Sequence, residues 1–358
     1  MKKINLILIA LLLFTCDSKT DTNNETSTFQ VKELLSQLTN QQILPNVLEF
    51  KNQANTLNTN VESYLANTNE GNLIVLRNQW KQTALAYANI YAFNIGSVRD
   101  QFMHQALYNW PTLSNALENV LINNAEITEE LISSLSPQIK TLSGLEYLLF
   151  NDTTTTINNQ FSASEKRKNY LKYTAIEFKV QAERLNSIWT TSEDYANTFI
   201  NSDANGIHGS FNKLYNGLYN LIDTAKIKKV GKPAGLENST NTNPELLQAY
   251  FSSTSLNILK ENMNSIESTY FNPNGLGIDD YVYSITNNAD LNNSVQNKID
   301  AIKDAIDAIP VPLYNAITSH PSEVEVLYNE IEALDILFSV DIRSILSIII
   351  TSTDNDGD

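Results

Sequence analysis

The stretch SEKRKNYLKYTAIEFKVQAERLNSIW, Ser164–Trp189, decides the fold class. Its apolar positions follow one another at steps of four and three residues: Leu171, Ala175, Phe178, Ala182, Leu185 and Trp189. This spacing brings all of them to one face of an α-helix, while the charged residues between them fall on the other face. The stretch therefore predicts a long amphipathic helix that packs against neighbouring helices.

The same helical period recurs along the chain. Further stripes are Phe50, Ala54, Leu57, Val61 and Leu65; Leu76, Trp80, Ala84, Tyr87 and Tyr91; Leu291, Val295, Ile299, Ile302, Ile306 and Ile309; and Val324, Leu327, Ile331, Leu334 and Phe338. No segment alternates as a strand would, and the 11 glycines and 9 prolines leave few turns in 358 residues. The sequence predicts an all-α protein built from helical bundles.

Composition divides the chain into six predicted segments. The best internal boundary is KIKKVGKPAGLENSTNTN, Lys226–Asn243, which is first basic and then polar, and we expect a solvated loop there. The segments are a lipoprotein signal peptide (1–16), a polar tether (17–28), an N-terminal helical bundle (29–226), a linker loop (227–243), a C-terminal helical bundle (244–352) and an acidic tail (353–358). Two helical-bundle halves are therefore expected.

The N-terminus has the pattern of an export signal. Lys2 and Lys3 precede the apolar run Ile4–Phe14, which is followed by Cys16 and a polar stretch. A cysteine at the end of such a run fits lipoprotein processing; an ordinary signal peptide with an incidental cysteine is the alternative. Because Cys16 is the only cysteine, the processed chain would have no disulfide and no thiol nucleophile.

Charge and missing motifs exclude several function classes. A formal net charge of −16 argues against nucleic acid as a partner. The chain has no G-x-S-x-G and no H-E-x-x-H, and its three histidines lie far apart in sequence. The ending TDNDGD resembles the start of a calcium loop, but it lacks the later glutamate and is interpreted as an acidic tail.

One carboxylate lies among apolar residues. On a helical wheel of TLSGLEYLLF, Thr141–Phe150, Glu146 falls inside the apolar face and Ser143 at its border. A buried charge is costly unless it is paired, protonated or bound to a cation. The spacing leaves two hypotheses open: an ion pair with an arginine such as Arg99 or Arg167, or a ligand site shared by Glu146 and Ser143.

Several short motifs, in order, resemble the imelysin family of bacterial envelope proteins, also called the insulin-cleaving membrane peptidase family. They are ILPNVLEF, NQW with Trp80, AFNIGSVRD, NWP at Asn109–Pro111, GLEYLLF, RKNYL at Arg167–Leu171, KPAG at Lys232–Gly235, YFSSTS at Tyr250–Ser255, and DNDGD. The resemblance implies an all-helical fold of two bundle-like halves. It also implies a lipoprotein or periplasmic protein associated with iron acquisition.

The family motif G-x-H-x-x-E falls on Thr141, Ser143 and Glu146, so the glutamate is kept while the glycine and histidine are replaced. A hydroxyl is a poor substitute for imidazole as a transition-metal ligand. Glu146 is thus the one residue of the motif expected to contact a metal, and iron or another divalent cation is the possible cofactor.

The resemblance and the residues together predict a binding site and three alternative functions. The predicted ligand-binding residues are Glu146, Ser143, Trp110, Arg99, Arg167, Ser252 and Ser255. The functions are a non-catalytic protein that binds iron or an iron-containing ligand, an imelysin-type metallopeptidase, and a metal-free interaction module. Expected partners are the membrane, through a lipid on Cys16, and iron-uptake components. The expected location is the cell envelope, at the outer membrane.

Lipid on Cys16 is directly testable. Replacing the thiol in Cys16→Ser removes the only group that can be acylated in this way, so the protein should leave the membrane fraction. The measurement is immunoblotting of membrane and soluble fractions for both forms. If the Cys16→Ser protein stays with the membranes, the lipoprotein assignment is wrong.

Overall fold

The computed structural model describes residues 29–202 and 204–351, and throughout these ranges the regular structure is helical, with no strand. The predicted signal peptide, the predicted tether and the acidic tail lie outside the described residues. The α-helices of the first part are α1 Val31–Leu38, α2 Leu44–Ala66, α3 Glu70–Ile90, α4 Ser97–Asp100, α5 Met103–Leu107, α6 Ser114–Asn123, α7 Glu129–Ser134, α8 Pro137–Lys140, α9 Leu142–Phe150, α10 Thr154–Ala163 and α11 Glu165–Thr190. The all-α prediction is confirmed.

The second part of the described chain is helical as well. They are α12 Tyr195–Asn201, α13 Ser210–Thr224, α14 Lys232–Ala234, α15 Ser255–Phe271, α16 Ile278–Thr286, α17 Asp290–Ala308, α18 Leu313–Ser319, α19 Pro321–Ile336 and α20 Arg343–Ile345. Three π-helical segments join consecutive helices, at Thr39–Ile43, Ala225–Gly231 and Leu337–Ile342, and short 3-10 turns occur at Tyr91–Phe93, Gly206–His208 and Pro244–Leu246.

The predicted apolar stripes form the core. On α11 every residue of the stripe is buried. The same holds for the stripe that begins on α3 and ends at Tyr91, and for the stripe that begins on α19 and ends at Phe338. Helix α2 packs against both α3 and α11, α15 packs on α3, and α17 packs on α19 and α15. Since α15 contacts α3 directly, the helices from Val31 onward form one compact unit in which both predicted halves share contacts.

The linker loop predicted at 227–243 begins later than expected. Ala225–Gly231 continues α13 as a π-helix, and α14 follows it directly, so the segment becomes irregular only after Ala234. The physical reason is burial: Lys229 and Val230 pack into the protein, and a packed backbone must form its own hydrogen bonds. The expectation that this basic cluster is solvated fails at Lys229, which is only 5% exposed.

Arg77 fixes the end of α9. Its guanidinium donates to the carbonyl oxygens of Leu149 (2.6 Å) and Asp152 (3.1 Å) and to the Thr154 hydroxyl (2.7 Å). Its Cζ also lies 5.3 Å from the centre of the Phe150 ring. A guanidinium is suited to this role, because its planar fork donates in several directions at once.

We expect Arg77→Lys to lower the free energy of unfolding by about 1–3 kcal/mol, because lysine keeps the charge but cannot make the three hydrogen bonds together. Urea unfolding followed by circular dichroism measures the change. Arg184→Lys, at an exposed arginine, is the matched control and should change the value by less than about 0.5 kcal/mol. Equal effects of the two substitutions would show that the Arg77 contacts do not hold α9.

Candidate functional site

Helix α9 is held tightly where it carries the motif. Gly144 lies against α8 so closely that a Cβ atom there would be 2.1 Å from the Ile139 carbonyl oxygen. The Trp80 indole donates to the Leu142 carbonyl oxygen at 3.0 Å. Close packing of this kind fixes the direction in which the following turn, with Glu146, faces.

Glu146 is buried, with 1% of its surface exposed. The backbone N–H of Ser252 donates to its Oε1 at 2.8 Å. Burial raises the pKa of Glu146 to about 7, while hydrogen bonds from the Ser252 backbone and side chain and from the Phe251 backbone oppose the rise. Within 29–202 and 204–351, no lysine or arginine forms an ion pair with this carboxylate.

The arginines expected beside Glu146 lie elsewhere. Arg167 donates to Glu118 at 2.6 Å, because α11 places it opposite α6. Arg99 lines a separate cavity beside α13. An arginine that neutralises Glu146 was therefore a wrong expectation; hydrogen bonds from the segment before α15 take that place.

Two of the predicted serines make contacts within the protein instead. The hydroxyl of Ser143 is fully buried, donates to the Asn109 carbonyl oxygen at 2.5 Å and lies 2.9 Å from the Thr141 hydroxyl. The Ser255 hydroxyl donates to the Gln248 carbonyl oxygen at 2.6 Å. Of the predicted neighbours, Ser252 is the one that contacts Glu146. That these residues bind a ligand stays a prediction.

A cluster of aromatic rings lies next to Glu146. Tyr108 is fully buried, and both burial and the nearby Glu146 charge raise the pKa of its hydroxyl well above the usual value. Trp110 packs on Tyr108 at 5.7 Å between ring centres and on His104 at 5.9 Å. Nδ1 of His104 lies 2.9 Å from the Tyr87 hydroxyl, so this histidine is part of an aromatic cluster. Trp110 thus packs between Tyr108 and His104, and its role in binding a ligand stays a prediction.

Lys229 is another buried ionisable group, next to this aromatic cluster, and its burial was not expected from the sequence. Its ammonium donates to Oδ1 of Asn262 and lies 5.1 Å from the centre of the Tyr91 ring and 5.6 Å from that of Trp110. Burial lowers the pKa of Lys229 to about 7. A signal was present in the sequence: Leu221, Ala225 and Lys229 are four residues apart, which continues the apolar stripe of α13.

A cavity of about 200 Å³ opens beside this cluster. It is lined by Trp110, Pro111, Lys228, Lys232 and Leu246. An indole face next to two lysines suits an anionic ligand with apolar or aromatic parts. Trp110 was predicted from the sequence as a ligand-binding residue, whereas Lys228 and Lys232 were predicted to lie in a solvated loop.

The motif positions do not fit a resident metal ion. Three or more His, Cys, Asp or Glu side chains that could hold a metal together are not found in the described part of the chain. The Ser143 hydroxyl is engaged with backbone oxygen, and the N–H dipole of Ser252 points at Glu146, where it would oppose a bound cation. The arrangement instead favours binding of a ligand through hydrogen bonds, aromatic faces and lysine charge.

The raised pKa of Glu146 predicts a pH-dependent effect of Glu146→Gln. In the wild type the folded state prefers the protonated acid, so this preference stabilises the fold at low pH and is lost as the pH rises from 4.5 through about 7. Glutamine does not titrate. The free energy of unfolding of Glu146→Gln, relative to that of the wild type, should therefore increase over this pH range by on the order of 3 kcal/mol. Urea unfolding at a series of pH values measures it.

Glu165→Gln is the control, because Glu165 is an exposed carboxylate with 80% of its side chain accessible. Its effect on stability should not change over the same pH range. A Glu146→Gln protein that is destabilised equally at every pH would contradict the assignment of the pKa to burial.

Comparison with known proteins identifies the family. The family model described as Peptidase_M75, Imelysin, matches residues 43–339. An imelysin-like protein from Psychrobacter arcticum 273-4 has a similar structure, with a TM-score of 0.73 and 16% identity over 93% of this chain and 99% of that one. A "putative iron-regulated protein A precursor" from Parabacteroides distasonis ATCC 8503 also has a similar structure. Its TM-score is 0.72, with 18% identity over 92% of this chain and 97% of that one.

No curated protein matches the chain. At these identities the two solved structures establish the fold, and the match to the family model extends over most of the sequence. The resemblance inferred from the short motifs is thereby confirmed. The chain belongs to the imelysin family.

Proposed function

We propose that this protein is an envelope lipoprotein that binds an iron-containing ligand during iron acquisition and does not cleave peptides. The proposal rests on the hydrogen bonds that the motif residues Ser143 and Glu146 make. Ser143 and Glu146 each hydrogen-bond to the protein backbone, at Asn109 and Ser252, so both motif side chains are already engaged within the protein. A metallopeptidase needs a metal with an open coordination position to activate water.

Binding is supported by the cluster next to the motif. Lys229 is a buried ammonium whose nearest groups are Asn262 and two aromatic rings, and within the described ranges it has no carboxylate partner. Keeping a charge in such a place costs stability, and groups of this kind concentrate at functional sites. The cavity beside Trp110, with Lys228 and Lys232 at its wall, gives an anionic ligand access to this region.

Iron as cargo is supported by similarity. One of the structurally similar proteins bears a name that describes it as iron-regulated, and the family model covers the same fold in this chain. Some soluble ferric chelates, such as ferric citrate, are anionic, and lysine charge with an indole face is complementary to chelates of this kind. Iron is therefore expected to enter as a complex rather than as a bare ion.

Location at the envelope is supported by the sequence before residue 29, with its basic start, apolar run and Cys16. In the described part of the chain, no helix is both long enough and apolar enough to span a membrane. A lipid on Cys16, followed by the polar residues up to Thr28, would attach the helical unit to a membrane surface.

The proposal is tested by two measurements on one preparation. The purified protein is incubated with ferric citrate, separated from unbound iron by gel filtration and analysed for iron by mass spectrometry. It is also incubated with a mixture of peptides, with and without a chelator. We expect retained iron and no hydrolysis. Trp110→Leu should reduce the retained iron at least tenfold, because it removes the aromatic wall.

Lys51→Gln, at a lysine that does not line the Trp110 cavity, is the charge control and should retain iron like the wild type. Hydrolysis that the chelator abolishes and that is lost in Glu146→Gln would establish a metallopeptidase and overturn the proposal. Absence of retained iron in the wild type would reject the iron-binding half of it.

A further inference from the structure

A cavity of about 440 Å³ lies beside the start of α1. Residues of α1, α13, α16 and the segment that follows α20 contribute to its lining. None of its lining residues lines the cavity beside Trp110, so the two cavities are separate places on the protein. Its apolar walls include Val31, Leu35, Phe211, Tyr281 and Ile348.

Three exposed isoleucines adjoin this cavity. Ile207 and Ile349 are each the chain neighbour of a lining residue, and they are 44% and 49% exposed. A Cβ atom on Gly206 would lie 3.4 Å from Cδ1 of Ile349, so the turn that carries Ile207 packs next to Ile349. Ile285, which is 50% exposed, lies one helical turn after the lining residue Tyr281 on α16. Single exposed apolar side chains are ordinary, but a group of them around one cavity marks an interaction surface.

These three isoleucines and the cavity form one surface, the isoleucine face, which differs in charge from the surface as a whole. The chain has 40 acidic and 24 basic residues. Among the described residues that line the cavity, however, Lys32 is the only charged one, and none is a carboxylate. An apolar surface without carboxylates can enter the boundary between lipid headgroups and acyl chains, whereas buried carboxylates would oppose entry.

The proposed lipid anchor would bring a membrane to this face. Val31, which lines the cavity, is 15 positions after Cys16. A chain of this length spans at most about 50 Å, so a lipid on Cys16 keeps the surface around Val31 within that distance of the bilayer. A tethered surface is present at a high effective concentration, and a weak apolar contact is therefore sufficient for docking.

We propose that the isoleucine face docks on the bilayer that holds the anchor, with the side chains of Ile207, Ile285 and Ile349 inserted among the lipid headgroups. Side chains that insert in this way reach about 5–10 Å into the boundary with the acyl chains. The partner is a zwitterionic lipid surface, because a net charge of −16 disfavours an anionic one. The inference rests on the lipid at Cys16 in the proposed function and adds a second contact with the membrane.

The test uses the full-length lipidated protein in liposomes of phosphatidylcholine. Acylated Cys16 has no free thiol and the chain has no other cysteine, so Ile207→Cys provides a single attachment site for the fluorophore NBD. Phosphatidylcholine that carries a nitroxide close to the headgroup quenches a fluorophore inserted at this depth. We expect this lipid to lower the NBD emission by about twofold or more. Ile285→Asp in the same protein should remove about half of the quenching or more, because a carboxylate opposes insertion.

Ile122 provides the matched controls. It is 71% exposed on α6, which packs on α8, α9 and α11 and carries none of the residues that line the cavity. NBD attached at Ile122→Cys should not be quenched by the nitroxide lipid. Ile122→Asp, introduced into the Ile207→Cys protein, should leave the quenching unchanged. Circular dichroism of each variant checks that it is folded.

The lipid anchor and the docking fail in different ways. A protein that does not float with the liposomes lacks the anchor, which overturns the lipoprotein assignment and this inference with it. A protein that floats with the liposomes, but whose label at Ile207→Cys is quenched no more than the label at Ile122→Cys, overturns the docking alone. NBD emission at Ile207→Cys that rises with protein density without quenching by the nitroxide lipid would show that a second copy of the chain covers the face, and this also overturns the docking.

Discussion

A buried carboxylate held by a backbone amide connects α9 to the segment that precedes α15. Glu146 on α9 and the N–H of Ser252, which precedes α15, are 106 positions apart in sequence and meet at 2.8 Å. Helix α9 is itself fixed by Trp80, Gly144 and Arg77, so the carboxylate has little freedom to turn away. The segment that leads into α15 must therefore keep its conformation, because an unpaired carboxylate in this position would destabilise the protein.

The region around Trp110 contains two buried ionisable groups of opposite sign that do not pair. Burial raises the pKa of Glu146 and lowers the pKa of Lys229, each to about 7. Glu146 is therefore mostly protonated and neutral below about pH 7, and Lys229 is mostly deprotonated and neutral above it. Near neutrality each group can change its charge at small cost, and a charged ligand that approaches either of them would shift its protonation. Ligand binding and proton uptake are for this reason expected to be linked here.

The fold was predictable because helical periodicity depends only on local sequence. The stripes on α3, α11 and α19 are buried as expected, and the short motifs were sufficient to indicate the family. The pairing of charges was not predictable, because it depends on which helices meet. Arg167 pairs with Glu118, and Arg99 faces another cavity. Lys229 was missed because a cluster of lysines next to Gly and Pro resembles a loop, although its spacing continues the stripe of α13.

The π-helical segment Ala225–Gly231 has a consequence for how this chain compares with its relatives. A π-turn holds one residue more than an α-turn, so it is the usual way in which a helix accommodates a single inserted residue without losing its register on either side. The extra residue changes which side chains face inward, and here the inward position belongs to Lys229. A relative one residue shorter in this segment would form a regular α-helix and present a different side chain to the indole of Trp110. The length of this short segment, rather than its composition, would then separate members of the family that place an ammonium against the Tyr91 and Trp110 rings from those that do not.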